Sequence, residues 1–163
     1  MRATFVFANV SIAALAYVGS ACAEDGTVDL AVTTVRVLST IEMGDSTFYS
    51  GGGTGALSVT RASGPPFVAD TAAGTQCVQH SRKTPTGFEL EANCVAAFSS
   101  GESLWIRFRR KSGDLAGGTS ASGIEEIIGG TGKFAGISGE CDYRVDNLPN
   151  QWNVSFGKCR WHR

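Results

Sequence analysis

The sequence predicts an all-β protein, folded as a closed antiparallel barrel of about eight strands. Short runs rich in Val, Ile, Thr and aromatic residues recur along the chain, and Gly, Pro and Asn residues separate them at regular intervals. The 21 glycines suit a sheet that bends sharply and closes on itself. Beyond the first segment, no long stretch repeats apolar residues with the period of a helix.

Residues 1–23 have the pattern of a signal peptide. Met1-Arg2 is a short positive start, residues 3–18 are largely apolar, and Ala21-Cys22-Ala23 fits a cleavage site before Glu24. The apolar run is shorter than a comfortable membrane span, and no later segment reaches the roughly 20 apolar residues of a transmembrane helix. We therefore expect an exported protein, periplasmic or secreted, with no membrane span in its mature chain.

The alternative is a lipoprotein anchored through Cys22, for which Gly19 is a poor match to the large aliphatic residue expected three positions before the cysteine. Cleavage after Ala23 leaves residues 24–163, a chain of 140 residues that suits a single domain with one core. Without Arg2 this chain has 13 basic and 15 acidic side chains, so its net charge is about −2. Such a charge gives no general attraction for nucleic acid or anionic membranes.

Eight strand-forming runs follow in the mature chain. They span residues 28–41, 56–61, 76–83, 88–98, 104–110, 119–128, 140–146 and 151–161. Within each run we expect side chains to alternate between the two faces of the sheet. The aromatic and aliphatic residues on the apolar faces are the candidate ligand contacts: Phe88, Leu90, Phe98, Ile106, Phe108, Trp152 and Phe156. An eight-stranded barrel is either filled by such side chains or holds one small ligand, and alternation alone does not decide between the two.

Four cysteines remain after cleavage, and their positions predict two disulfides. An even number of cysteines in an exported chain indicates disulfide bonds, although four cysteines allow three pairings. Cys77 with Cys94, and Cys141 with Cys159, each lie symmetrically about a turn sequence that contains proline. We favour these two hairpin bridges over the alternative pairings.

The favoured pairing also sets the register of both hairpins. It places unlike charges opposite each other in four pairs: Arg82 with Glu89, His80 with Glu91, Glu140 with Arg160, and Asp142 with Lys158. Such pairs stabilise a sheet by roughly 0.2–1 kcal/mol each, so the coincidence supports the register more than it adds stability. A bulge in either hairpin would shift the register.

A glycine-rich motif covers residues 127–139. Its glycines are Gly129, Gly130, Gly132, Gly136 and Gly139. The motif is not a phosphate-binding P-loop, because Ile127 stands in place of the first required glycine and Phe134 in place of the hydroxyl residue after the lysine. A dinucleotide-binding motif would need a following helix, whereas the next residues alternate like a strand. We interpret the glycines as sites of positive φ, bulges or close backbone approach.

The sequence Ile-Ile-Gly-Gly-Thr-Gly-Lys-Phe-Ala-Gly-Ile-Ser-Gly at 127–139 resembles a segment late in allene oxide cyclase-like barrels, which include the plant dirigent proteins. It is also similar to uncharacterised exported bacterial proteins of that barrel type, and a weaker likeness extends from Cys77 to Tyr143. The resemblance implies a calycin-like barrel and makes a homo-oligomer worth testing, because such relatives are commonly trimeric. The chain departs at residues 99–102, where relatives often carry an acidic loop, so no residue role from that loop or from the plant pockets is transferred.

No catalytic group, cofactor or metal site is predicted. The chain lacks a Gly-x-Ser-x-Gly elbow, and oxidised cysteines provide no thiol nucleophile. A zinc site is disfavoured because no Cys-x-x-Cys pair exists and only His80 and His162 could join the cysteines. His80 beside Glu91 could form an oriented general base, but a pair on a polar strand face is more often a surface contact.

Basic residues cluster in two places. They are Arg107, Arg109, Arg110 and Lys111 in the first cluster, and Lys158, Arg160 and Arg163 in the second. We interpret both clusters as solvated strand faces, and the alternative is a contact with an anionic ligand or with another subunit.

Three functions follow from these features. The first is an exported barrel that binds a small, mostly apolar molecule. The second is a cyclase-like or isomerase-like enzyme, or a dirigent-like protein that guides a reactive intermediate. The third is a structural or interaction domain with a filled core. The sequence favours the first, and an internal cavity would separate the first two from the third.

Overall fold

The computed structural model describes residues 24–163. Eight strands and one short 3-10 turn cover most of this range. They are β1 (Asp25–Met43), β2 (Ser46–Ala62), β3 (Thr71–Thr84), β4 (Gly87–Phe98), β5 (Ser103–Arg110), β6 (Ser120–Gly130), the 3-10 turn (Gly132–Phe134), β7 (Ser138–Asn147) and β8 (Trp152–His162). The predicted signal peptide, residues 1–23, lies outside the described residues.

The strands form a closed antiparallel barrel in sequence order, which confirms the predicted fold class. Each strand pairs with the next, and β1 also pairs with β8 to close the sheet. One end of the barrel carries the chain termini and the connections that follow β2, β4 and β6; we call it the terminal end. The opposite end carries the four connections that follow β1, β3, β5 and β7, and we call it the hairpin end. Among the described residues no helix could cross a membrane, since none is long and apolar enough.

Strand β2 begins ten residues earlier than the sequence predicted, and glycines explain the difference. The run Gly51–Gly53 lies inside the strand instead of before it. At Gly55 an added Cβ would overlap the backbone oxygen of Thr33, so the two strands approach too closely there for a side chain. The glycines therefore permit the close pairing of β1 and β2.

Both predicted disulfides are present. Cys77 bonds to Cys94 across β3 and β4, and Cys141 bonds to Cys159 across β7 and β8. The four predicted charge pairs face each other in the register, so the strand pairing is confirmed. None of these four pairs forms a salt bridge within the described part of the chain.

The glycine motif ends β6 and turns the chain into β7, as the sequence predicted. The register between β5 and β6 shifts at this point, and Gly129 adopts a φ of 141°. Gly130 is the last residue of β6, Gly132 and Gly136 have positive φ, and Gly139 lies in β7.

Aromatic rings fill the terminal end of the barrel. The ring centroid of Phe134 lies 5.3 Å from that of Phe67 and 5.1 Å from that of Phe98, and Trp161 packs 6.0 Å from Phe67. These residues join the aliphatic side chains of β1, β2, β5 and β6 in one buried cluster. This half of the barrel is a packed core.

The prediction that Trp152 and Phe156 face the interior of the barrel is wrong. Trp152 and Phe156 point outward and are 44% and 48% exposed. The buried Cys159 fixes the inward face of this strand, and the two-residue period then places Ser155 and Gly157 inside. Phe156 shares its face with the exposed lysine and arginine of the same strand.

Candidate functional site

A cavity of about 60 Å³ lies inside the barrel towards the hairpin end. This volume has room for a few water molecules. Its apolar wall consists of Val32, Leu90, Ala92, Phe108, Val145 and the disulfide Cys77–Cys94. Its polar wall consists of Thr34, Arg36, Gln79, Arg110, Tyr143, Asn147, Asn153 and Ser155.

The structure brings two of the seven candidate ligand contacts to this cavity. Leu90 and Phe108 line it, and Phe88 lies just behind, with the Arg110 guanidinium 4.8 Å above its ring. Phe98 and Ile106 belong to the packed core. The remaining two, on β8, lie on the outer surface.

Two buried arginines dominate the polar wall. Arg36 near the middle of β1 and Arg110 at the end of β5 are each 5% exposed. Arg36 Nη1 donates to Oδ1 of Asn147 at 3.0 Å, and Nη2 donates to the Leu115 carbonyl at 3.1 Å. Arg110 Nη2 donates to the Asp114 carbonyl at 2.7 Å. Carbonyl and amide acceptors therefore hold both guanidinium groups, and no carboxylate neutralises either within the described residues.

The prediction that the first basic cluster lies on a solvated strand face is wrong for Arg110. Arg107 and Arg109 do lie on the outside, where both pair with Glu126 at 2.7 and 2.6 Å. Arg110 follows Phe108 in the inward alternation of β5 and turns into the barrel. The alternation that identified Phe108 could have identified Arg110, and the same parity links Arg36 to Val32 in β1.

Burial disfavours the charged form of both cavity arginines. Burial lowers the pKa of Arg36, and the nearby charge of Arg110 lowers this pKa further. Burial also lowers the pKa of Arg110, against the opposing effects of Tyr143 and Asp114. Because a guanidinium holds its proton throughout the pH range in which proteins are folded, both side chains stay charged at neutral pH.

Three buried nitrogen donors on the polar wall have no hydrogen-bond partner among the described residues. They are Nε of Arg36, Nη1 of Arg110 and Nε2 of Gln79. Unpartnered buried donors are rare in proteins, because each loses its bonds to water without replacement. Here all three belong to residues that line one cavity.

The connection between β5 and β6 covers the hairpin end of the cavity. Asp114 in this connection forms a salt bridge with Lys83 at 2.5 Å, and its carboxylate also accepts the backbone N–H of Leu115 at 2.6 Å. The hydrogen bond that Lys83 donates lowers the pKa of Asp114. Asn147 Nδ2 donates to the Asp114 carbonyl at 3.0 Å, which ties the connection to β7. The carboxylate of Asp114, whose charge acts on Arg110, is thus paired with a lysine.

Glu125 is a buried acid on the inward face of β6 and is not one of the residues that line the cavity. It is 0% exposed, and neither of its carboxyl oxygens has a partner among the described residues. Burial raises its pKa to about 8, so the carboxyl is protonated and neutral at pH 7. Burial also raises the pKa of the neighbouring Tyr143 to about 12, so this hydroxyl stays a hydrogen-bond donor.

Glu125 also lies beside the second disulfide. One carboxylate oxygen and the sulfurs of Cys141 and Cys159 all lie within 4.8 Å of one another. The two sulfurs are bonded to each other and are not thiolates, so this arrangement does not provide a metal ligand set. The His80–Glu91 pair faces across β3 and β4 on the outer surface, where His80 is exposed and Glu91 accepts a bond from Asn93.

The fold and the cavity together define a class: a closed eight-stranded antiparallel barrel with a small internal cavity that contains two buried arginines. The sequence matches no protein-family model, and no curated protein is significantly similar to it. The likeness of residues 127–139 to allene oxide cyclase-like barrels therefore stays a prediction.

Proposed function

We propose that this protein is an exported barrel that binds one small molecule in the cavity at its hairpin end. The observation that carries the proposal is the cavity itself, which has an apolar wall around Leu90 and Phe108 and a polar wall around Arg36 and Arg110. Small-molecule sites in proteins combine such apolar surface with a few placed polar groups. The polar wall changes the expected ligand from a mostly apolar molecule to an amphipathic one.

Binding explains the polar wall better than a structural role does. A barrel selected only for stability would fill its interior with apolar side chains, because buried charges without a partner cost several kcal/mol each. The terminal end is filled in that way by Phe134 and its neighbours. The hairpin end instead holds two arginines beside open space.

Binding is also favoured over catalysis. Among the described residues that line the cavity there is no carboxylate, imidazole or free thiol to act as base or nucleophile. Tyr143 is a poor base, because its raised pKa keeps the hydroxyl protonated. A cyclase-like or dirigent-like activity, suggested by the resemblance of the glycine motif, is the alternative.

Export is part of the proposal. The two disulfides are typical of proteins from oxidising compartments, and residues 1–23 have the pattern of a signal peptide. We therefore expect the ligand to be bound by the exported protein, in the periplasm or outside the cell.

The test places a larger side chain on β4 so that it fills part of the cavity, and the control is the same substitution on the outer face of this strand. Ala92 lines the cavity, whereas Ala97 on the same strand is exposed on the outer face. Native mass spectrometry of protein purified from its own source should show a bound small molecule in the wild type and in Ala97→Leu, but not in Ala92→Leu. If all three proteins have the bare chain mass and no member of a fragment panel raises the wild-type melting temperature, the proposal is wrong.

A further inference from the structure

We propose that the ligand of this cavity is a small carboxylate, with Arg36, Arg110 and Gln79 donating to its oxygens and the apolar wall contacting its short carbon chain. This inference rests on the proposed ligand-binding function of the same cavity. It adds the chemical class of the ligand and the residues that recognise it.

The first support is the chemistry of the unpartnered groups. Nε of Arg36, Nη1 of Arg110 and Nε2 of Gln79 are all donors. Both Nη atoms of Arg36 are held, by Asn147 and by the Leu115 carbonyl, and Nη2 of Arg110 is held by the Asp114 carbonyl. Each arginine therefore has a buried nitrogen without a partner among the described residues, and the complement of several donors on one cavity wall is an acceptor such as a carboxylate.

The second support is charge. Arg36 and Arg110 lie close enough for the charge of one to lower the pKa of the other. The charge of Asp114 acts on Arg110, but its salt bridge is with Lys83, and Glu125 is protonated at neutral pH, so neither acid forms an ion pair with the two arginines. Water could satisfy the free donors but would leave both charges uncompensated. An anion supplies hydrogen-bond acceptors and charge together.

The third support is the shape and chemistry of the cavity. The volume of about 60 Å³ suits an anion with only a few carbon atoms. Leu90 and Phe108 form part of an apolar wall that would remain unused by an inorganic anion. This combination favours a short-chain carboxylate over free phosphate, although both present the same oxyanion chemistry to the arginines.

The experiment compares charged and neutral probes on the purified full protein at pH 7 by calorimetry. The probes are acetate, butyrate, hexanoate, inorganic phosphate, and butyramide as the neutral analogue of butyrate. We expect butyrate to bind at least tenfold more tightly than butyramide and more tightly than acetate. The comparison needs no variant, so it tests the inference even if a substitution of a buried arginine impairs folding.

Variants then assign the recognition to residues. Arg110→Gln and Arg36→Gln should each weaken butyrate binding by about ten- to hundredfold, the loss expected for a charged hydrogen bond. Arg109→Gln is the matched control, because this neighbouring arginine faces outward and pairs with Glu126. Its affinity should stay within about twofold of the wild type, given that surface pairs contribute little.

The outcomes separate this inference from the proposed function. Equal binding of butyramide and butyrate, lost in Ala92→Leu, would overturn the carboxylate but keep a ligand-binding cavity. Phosphate binding that exceeds that of every carboxylate would overturn the carboxylate and assign an inorganic anion to the arginines. If no probe binds and the native protein carries no molecule, the inference and the proposed function both fail.

Discussion

The carboxyl group of Glu125 occupies the space in front of Gly157 on the inner wall of the barrel. A Cβ atom at position 157 would overlap Oε2 of Glu125, so the acid and the glycine fit together as a pair. Glu125 is completely buried, and its pKa of about 8 is raised by burial alone. Because Glu125 is an ionisable group that is buried by folding, the stability of the barrel should depend on pH.

Stability should fall with rising pH because of Glu125. Its pKa is about 8 in the folded protein against an ordinary value of 4.5, so between these values the unfolded chain is ionised while the folded protein keeps the proton. The free energy of unfolding therefore loses up to about 1.4 kcal/mol per pH unit across this window from this group. Glu125→Gln cannot ionise, so its stability relative to wild type should increase steadily from pH 5 to pH 8. Urea unfolding at four pH values measures the difference.

Glu126→Gln is the control for this pH dependence. Glu126 faces outward, and its hydrogen bond from Arg107 lowers its pKa, so it is ionised in both states above about pH 5. The difference between this variant and the wild type should stay constant from pH 5 to pH 8. Parallel stability curves for Glu125→Gln and the wild type would show that Glu125 is ionised in the folded protein at neutral pH.

Replacing Gly55 should disrupt the pairing of β1 and β2. Its added methyl group would overlap the Thr33 carbonyl oxygen, which is backbone and cannot move without separating the strands. We expect Gly55→Ala to lower the free energy of unfolding by about 1–3 kcal/mol. Gly74→Ala on the neighbouring strand is the control, because nothing lies within 4 Å of the added atom there. A similar loss in both variants would argue against the close approach at Gly55.

The two disulfides should have similar effects on stability and different effects on the ligand. Their cysteines are separated by 17 and 18 residues, so removing either bridge by a double alanine substitution should cost about 2–4 kcal/mol in unfolding free energy. Only Cys77 and Cys94 line the cavity. We therefore expect calorimetry to show weaker butyrate binding without the Cys77–Cys94 bridge and unchanged binding without the other. The reverse order would place the ligand elsewhere in the barrel.

Phe134 should be the strongest single contributor to the core at the terminal end. It is 1% exposed and packs on two further phenylalanine rings, so Phe134→Ala should cost about 3–5 kcal/mol in thermal or urea unfolding. Phe156→Ala on the outer face of β8 should change stability by about 0.5 kcal/mol or less. A large loss at Phe156 would mean that its exposed ring is covered in solution.

Local sequence signals predicted the number and order of the strands, the two hairpins and the disulfide pairing. These features depend on local signals: turn residues between β3 and β4 and between β7 and β8, and a two-residue period that carries the register from each turn to its cysteines. The inward face of β8 was also implied by the buried Cys159, but the aromatic rings of Trp152 and Phe156 outweighed that signal.

The nature of the cavity follows from contacts between strands that are not neighbours in the sheet. Arg36 on β1 and Arg110 on β5 belong to strands that are not neighbours in the sheet, so no local pattern predicts that their guanidinium groups lie close together. Closure of the barrel brings the two strands to opposite sides of one interior and leaves open space between the arginines and Leu90. Alternation fixes on which face of a strand a side chain lies, and the closed sheet determines which side chains from distant strands it meets there.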